Sequence, residues 1–261
     1  MYTLKKIYIS NIPALILYKE EAISGLLPII FLFHKLLQNK TNELPVAFAL
    51  AERGYFVVII DMVEHGERKL KKNKLEYDFS HLFDDIYHTA KDVEVVIDYL
   101  HKNYENRLDF VSITAIGVSI GASVALASSC LINSVTRVAC LVGSVNWEFM
   151  IKQKMLAVFS IFYPSNSNLN ISMLESDRKK YEPFIYLKTS NLPSIIFLNG
   201  LLDNSLLLQA SRSYYNKILE IYDNFGERKK ITFIELKKTG HEVNDVMIEH
   251  LLQWLALTAE N

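Results

Sequence analysis

The sequence predicts an α/β fold: a mostly parallel central sheet with helices on both faces and a small cap insertion. Three observations carry this expectation. Short, solid apolar runs of the kind buried on both faces recur along the chain. Helix-period segments alternate with them, which implies parallel strands joined by crossover helices. The alternation fails in one place, between about Asn146 and Asn191, where an insertion is expected.

Each element follows from local pattern. Tyr2–Ser10 and Ala14–Lys19 are β-branched or aromatic runs separated by Asn11-Ile12-Pro13, and read as an N-terminal hairpin. Ile29–Phe33 is a buried strand, Val46–Arg53 a helix stopped by Gly54, and Tyr55–Asp61 the next strand. From Asp84 to Leu100, the apolar residues Ile86, Ala90, Val93, Ile97 and Leu100 mark one face of a helix. Phe110–Ile116 and Thr136–Val142 are strands that flank a helix of small residues, Ala122–Ser129. Ser194–Leu198 and Lys230–Leu236 are strands, and Ser205–Ile221 is a helix between them. In the final helix, Val243–Leu257, the residues Val243, Met247, Leu251, Trp254 and Leu255 form the apolar face. The insertion holds Trp147, Phe149, Met150, Met155, Phe159, Phe162, Tyr163 and Pro164, and reads as a cap over 146–191, helical first and irregular later.

The 261 residues suffice for one large domain, residues 1–261, and no linker or repeat divides them. Net charge is −1, from 28 basic and 29 acidic residues, without the basic excess of a nucleic-acid binder. The basic stretch Arg68, Lys69, Lys71, Lys72 and Lys74 is answered at once by Glu76 and Asp78, so it reads as a solvated loop. Cys130 and Cys140 sit in apolar surroundings and read as buried free thiols. The longest apolar run, Leu26 to Phe33, is eight residues, far short of the roughly 20 that span a bilayer. A soluble cytoplasmic protein is the expectation, with no nucleic-acid partner. A homodimer rests on base rates alone.

The chemistry should sit in loops just after strands, at the carboxyl edge of the sheet. Gly117-Val118-Ser119-Ile120-Gly121 follows a strand and opens a helix, the context of a nucleophile elbow. Side chains two residues either side of Ser119 would collide with so tight a turn, hence glycine at both places. The Ile120 N–H would then face the carbonyl oxygen of a bound ester. A plain strand-to-helix turn with a serine cap is the blander alternative.

Of the seven histidines, His241 alone follows the last strand, through Lys238-Thr239-Gly240, and can reach back to Ser119 as a base. Gly240 is expected to tighten that turn. His34 and His65 lie in loops after earlier strands and are candidates for lining the pocket, whereas His81, His88, His101 and His250 lie in or beside helices. Asp203 follows the strand Ser194–Leu198 and is the expected acid, unless it merely caps the next helix with Asn204 and Ser205. The rival acids Asp223 and Glu235 lie beyond a helix and within a strand. The order Ser119, Asp203, His241 matches that of α/β-hydrolases.

Several segments carry the same resemblance. Pro28–His34 looks like the third strand of α/β-hydrolases running into their His-Gly loop, and Leu50–Tyr55 is similar to the helix and turn that follow. Asp61-Met62-Val63-Glu64-His65-Gly66-Glu67-Arg68 resembles the D…HGxR loop of the esterase and dienelactone-hydrolase-like branch. Asn199–Asp203 and Gly240–Val243 resemble the acid and histidine loops. The resemblance covers nearly the whole chain apart from the cap. It implies the α/β-hydrolase fold and cleavage of small acyl esters through an acyl-enzyme, with no cofactor and no metal. It also implies that the Leu36 N–H joins that of Ile120 in the oxyanion hole. Two departures stand out. Lys35 replaces the glycine usual after the histidine, where a side chain would narrow the site, alter the loop dihedrals or offer a cation to an acidic substrate. Asn199 replaces a histidine, a change expected to affect packing.

The expected activity is therefore that of a carboxylesterase. The alternatives are a non-catalytic binding protein on the same fold, and a carbon–carbon hydrolase or haloperoxidase-type enzyme using the same three residues. A peptidase is less expected, because no peptide-binding domain is recognisable.

Overall fold

Eight strands follow from the apolar runs: β1 (Tyr2–Ile9), β2 (Ile12–Lys19), β3 (Leu27–Phe33), β4 (Phe56–Ile60), β5 (Leu108–Val118), β6 (Val135–Leu141), β7 (Ser194–Gly200) and β8 (Ile231–Leu236). They form one sheet in the order β1-β2-β4-β3-β5-β6-β7-β8. The pairings from β4 through β3, β5, β6 and β7 to β8 are all parallel, and β2 runs antiparallel to both of its neighbours. These coordinates are a computed structural model and describe residues 1–20, 25–70, 77–143, 145–153, 170–183, 187 and 192–259.

Seven helices are described: α1 (Leu44–Glu52), α2 (Leu82–Tyr104), α3 (Gly121–Leu131), α4 (Trp147–Lys152), α5 (Ile171–Tyr181), α6 (Ser205–Asn224) and α7 (Asp245–Ala259). Side-chain alternation along the strands divides the core into two layers. Ile29, Phe31 and Phe33 of β3 face a layer built with α2, α3 and α6, while Ile30 and Leu32 face a layer built with α1 and α7. All five positions that marked the apolar stripe of α2 are buried. Helix α3 is buried on nearly every side, which its small residues allow where it lies against both sheet and α2.

The hairpin is tighter than the sequence pattern suggested. Ser10 and Asn11 both take left-handed φ values, 47° and 70°, as a two-residue turn requires. Strand β2 therefore begins at Ile12, and Pro13 lies within it opposite Tyr8, not in the connection. The insertion also differs in part. Helix α5 falls where irregular chain was expected. It starts because the Asn170 side chain accepts the Met173 N–H at 3.1 Å. Trp147 and Met150 of α4 are buried, with the Trp147 ring stacked on Phe83 at 4.2 Å between centroids. Met155, Phe159, Phe162, Tyr163 and Pro164 lie outside the described residues.

Strand order reverses at β3 and β5: the chain steps outward from β3 to β4, then crosses to β5 and proceeds the other way. Such a reversal opens a crevice at the carboxyl ends of the strands. The loops after β3, β5, β7 and β8 all emerge at that edge.

Candidate active site

The turn after β5 is strained at one residue. Ser119 has φ +57°, in the left-handed region that serine rarely enters. Its N–H donates to the Leu141 carbonyl at 2.8 Å, and its own carbonyl accepts from Ala122 at 3.1 Å, so both flanks hold the conformation. A Cβ on Gly117 would lie 2.0 Å from the Gly121 oxygen, so the predicted collision is real there. Gly121 is glycine for a different reason than expected: its Cβ would lie 2.5 Å from the Phe33 carbonyl, across the crevice on β3. Gly143 was missed by the sequence reading. It lets the end of β6 approach Ser119, whose carbonyl would be 2.6 Å from a Cβ at that position.

The structure brings together the three residues expected from three strand ends. Ser119 Oγ donates to His241 Nε2 at 2.8 Å, and His241 Nδ1–H donates to Asp203 Oδ2 at 2.8 Å. The second Asp203 oxygen accepts the Asn204 N–H at 2.6 Å. Asn204, not Asp203, caps α6, its side chain accepting from Leu206 at 2.9 Å. The Asp203 carboxylate is thus left for His241, and its side chain is 3% exposed against 35% for the histidine. A buried carboxylate behind a partly open imidazole fixes the tautomer that leaves Nε2 free to take a proton. The rival acids are engaged elsewhere: Asp223 pairs with Arg228, and Glu235 with Arg212.

Gly240 does not play its expected part. Its φ is not left-handed, and a Cβ there would meet nothing nearer than 4.0 Å. The close approach is at Gly200, where a Cβ would lie 2.2 Å from the Thr239 oxygen. The acid and histidine loops are stitched together instead, by Leu202 N–H to Thr239 O at 2.9 Å and Leu201 N–H to Leu236 O at 3.0 Å.

These residues line a cavity of about 530 Å³ whose walls include Leu36, Leu82, Met150, Leu202 and Leu207. Lys35, Ile120 and Gln38 also line it. The N–H groups of Leu36 and Ile120 have no protein acceptor among the described residues. Lys35 does not take a left-handed φ; Leu37 does, at 59°, so the lysine fits the loop and the bend falls two residues later.

Two pocket candidates lie elsewhere. His34 is fully buried and acts as a strut: Nδ1–H donates to the Lys35 carbonyl at 2.8 Å, and Nε2 accepts the Met62 N–H at 3.1 Å. These bonds require the neutral ring, and burial, aided by His65, lowers its pKa to about 3. His65 is also buried, donates to the Val63 carbonyl at 2.7 Å and has its pKa lowered by burial. It faces a separate polar cavity of about 440 Å³ with Lys40, Asp61 and Glu67. Asn199 is buried in β7 beside Glu235 and does not line the first cavity.

No protein-family model matches the chain. The Bacillus subtilis protein named "Putative esterase YitV" is 22% identical over 253 residues, covering 94% of this chain and 95% of that protein. Among solved structures, TT1662 from Thermus thermophilus matches with a TM-score of 0.70 at 16% identity, over 98% of this chain and 97% of that one. The Pyrobaculum calidifontis esterase matches with a TM-score of 0.66 at 16% identity, over 98% and 84%.

The chain has the α/β-hydrolase fold.

Within this fold, the D…HGxR segment proves to be scaffolding. Asp61 is fully buried and accepts from the Lys40 N–H at 2.8 Å, from Lys40 Nζ at 2.6 Å and from the Glu67 N–H at 2.9 Å. Gly66 is required because a Cβ there would lie 2.3 Å from the Asp61 carboxyl carbon. Arg68 donates to the Asp61 carbonyl and pairs with Asp92 at 2.6 Å. Lys40 lies just beyond the loop that carries Leu36, so this cluster anchors that loop from behind. Lys40 had no local signal in the sequence.

Both cysteines are buried, and neither is in a disulfide. Among the described residues no cluster of three or more His, Cys, Asp or Glu could hold a metal ion. No described helix is long and apolar enough to cross a membrane.

Proposed function

We propose that this α/β-hydrolase chain is a serine hydrolase of the esterase type, cleaving small carboxylic esters. The single observation that carries the reading is the continuous hydrogen-bonded path from Asp203 through His241 to a strained Ser119 at a cavity wall. The likeness to a protein named as an esterase supports it.

Ser119 Oγ attacks the ester carbonyl carbon while His241 Nε2 takes its proton. Asp203 holds the imidazole in place and stabilises the imidazolium. The carbonyl oxygen becomes an oxyanion that accepts the N–H groups of Ile120 and Leu36; losing one such donor typically costs about 2.7–4 kcal/mol of barrier. His241 returns the proton to the leaving alcohol, and an acyl-Ser119 ester remains. Water then loses a proton to His241 and attacks that ester, the acid departs, and Ser119 is restored. The apolar wall suits an aliphatic or aromatic acyl group. Met150 of α4 supplies part of that wall.

Turnover of short-chain chromogenic esters tests this. The intact chain should hydrolyse them and Ser119→Ala should not. Equal turnover by the Ser119→Ala variant would overturn the reading.

A further inference from the structure

We propose that Lys35 makes this enzyme selective for esters that also carry a carboxylate, and that the Lys35 ammonium binds that group. The inference rests on the esterase reading and names its substrate class.

Ionisable side chains are few in the cavity wall: among the described lining residues they are Lys35, Asp203 and His241. Asp203 is committed to His241 and to the Asn204 N–H. The Lys35 ammonium forms no ion pair with a carboxylate among the described residues; its Nζ donates to the His241 main-chain oxygen at 3.3 Å, a long bond to a neutral acceptor. A substrate carboxylate would replace that bond with a shorter, charge-assisted one.

The position of the cation decides what it can sense. Its backbone neighbour is Leu36, a proposed oxyanion donor, and its ammonium reaches the chain segment that carries His241. The charge therefore sits beside the reacting ester, between the loops after β3 and β8. The rest of the wall is largely Leu36, Leu82, Met150, Leu202 and Leu207, which offers an anion no other charged partner. Half-burial of Lys35 against such surroundings makes a matched charge more effective than at a free surface. Glu43 is the acid that senses Lys35. It is buried, which raises its pKa to about 7, while the Lys35 charge and the Lys35 N–H pull it down, and its contact is with the Lys35 backbone.

Lys35 is also where the sequence departs from the family it resembles. Glycine there would leave the wall uncharged. The loop bears the lysine without a left-handed φ, so the side chain is compatible with a working oxyanion hole.

The test compares mono-4-nitrophenyl adipate with its methyl ester, which removes the carboxylate, and 4-acetoxybenzoate with methyl 4-acetoxybenzoate, which places the charge on the alcohol side. The wild type should favour the charged member of at least one pair by about fivefold or more in kcat/KM, through KM, and less so at high salt. Lys35→Met should abolish the preference, Lys35→Arg should keep it, and Lys35→Glu should reverse it; Lys35→Gln serves where the methionine variant does not fold. A second arm measures binding of the uncleaved adipate ester and its methyl ester to Ser119→Ala and to Ser119→Ala with Lys35→Met. Hydrolysis with no preference in either pair, or a preference that survives Lys35→Met, overturns the inference and leaves the esterase reading standing. A Lys35-dependent binding preference without hydrolysis by the wild type sinks the esterase reading and leaves the anion site standing.

Discussion

A Cβ at position 121 would come within 2.5 Å of the Phe33 carbonyl oxygen, so Gly121 and Phe33 set how closely the helix after Ser119 approaches the loop that carries Leu36. The spacing of the two proposed oxyanion donors depends on that contact. Gly121→Ala must push backbone against backbone, since neither side is a flexible chain end. It should cost about 1–3 kcal/mol of stability and lower kcat more than it raises KM. Thermal unfolding with ester kinetics checks both; an unchanged kcat would separate Gly121 from the oxyanion geometry.

Two histidines next to the crevice should behave in opposite ways. His241 is partly exposed and bonds Ser119 and Asp203, so His241→Ala should cut turnover by about 10³–10⁴-fold with little change in melting temperature. His34 is buried and holds two backbone groups, Lys35 O and Met62 N. His34→Ala should therefore lose stability, by about 2–4 kcal/mol. Parallel melting curves and rate measurements distinguish them. A stable His34→Ala variant would show that the strut is dispensable.

Lys40 is the main cation facing a fully buried Asp61. Lys40→Met would leave that carboxylate with backbone donors alone, at a cost of about 3–5 kcal/mol. The double variant with Asp61→Asn should recover part of the loss, because the uncompensated charge goes too. Urea unfolding of the single and double variants measures this; equal destabilisation in both would mean that packing, not charge, dominates.

Glu43 links stability to pH. Its folded pKa is raised from 4.5 to about 7, by burial against the opposing pull of Lys35. The fold therefore favours the protonated acid. The contribution is complete below the unfolded value near 4.5 and is lost as pH rises through about 7. Asp85, raised from 3.8 to about 7 by burial, acts in the same direction and window. Glu43→Gln should flatten the fall in stability between pH 4.5 and 7, by about 2–3 kcal/mol. Denaturant unfolding across that range checks it; an unaltered slope would place the pH dependence elsewhere.

Much of this was legible in the sequence, for a physical reason. Buried parallel strands read as solid apolar runs, and residues just after them must emerge at one edge, which was enough to bring Ser119, Asp203 and His241 together. Position after a strand does not say which way a side chain points. His34 and His65 follow strands as His241 does, yet both turn inward and bond main chain. Close approaches between distant segments carry no local pattern either. Gly143, Gly200 and the Lys40–Asp61 pair are set by neighbours in space, so they emerged from the structure. The hairpin turn was misplaced because Asn11-Ile12-Pro13 has a proline to draw the eye, whereas Ser10-Asn11 makes the turn through two left-handed residues.

The most direct test of the central claim is covalent labelling. The intact protein is treated with a fluorophosphonate probe and the modified residue is located by peptide mass spectrometry. The account predicts one adduct, on Ser119, formed at wild-type speed by the native protein and lost in Ser119→Ala, with strong slowing in His241→Ala. A well-folded protein that shows no adduct, or that carries the adduct on another serine, would contradict it.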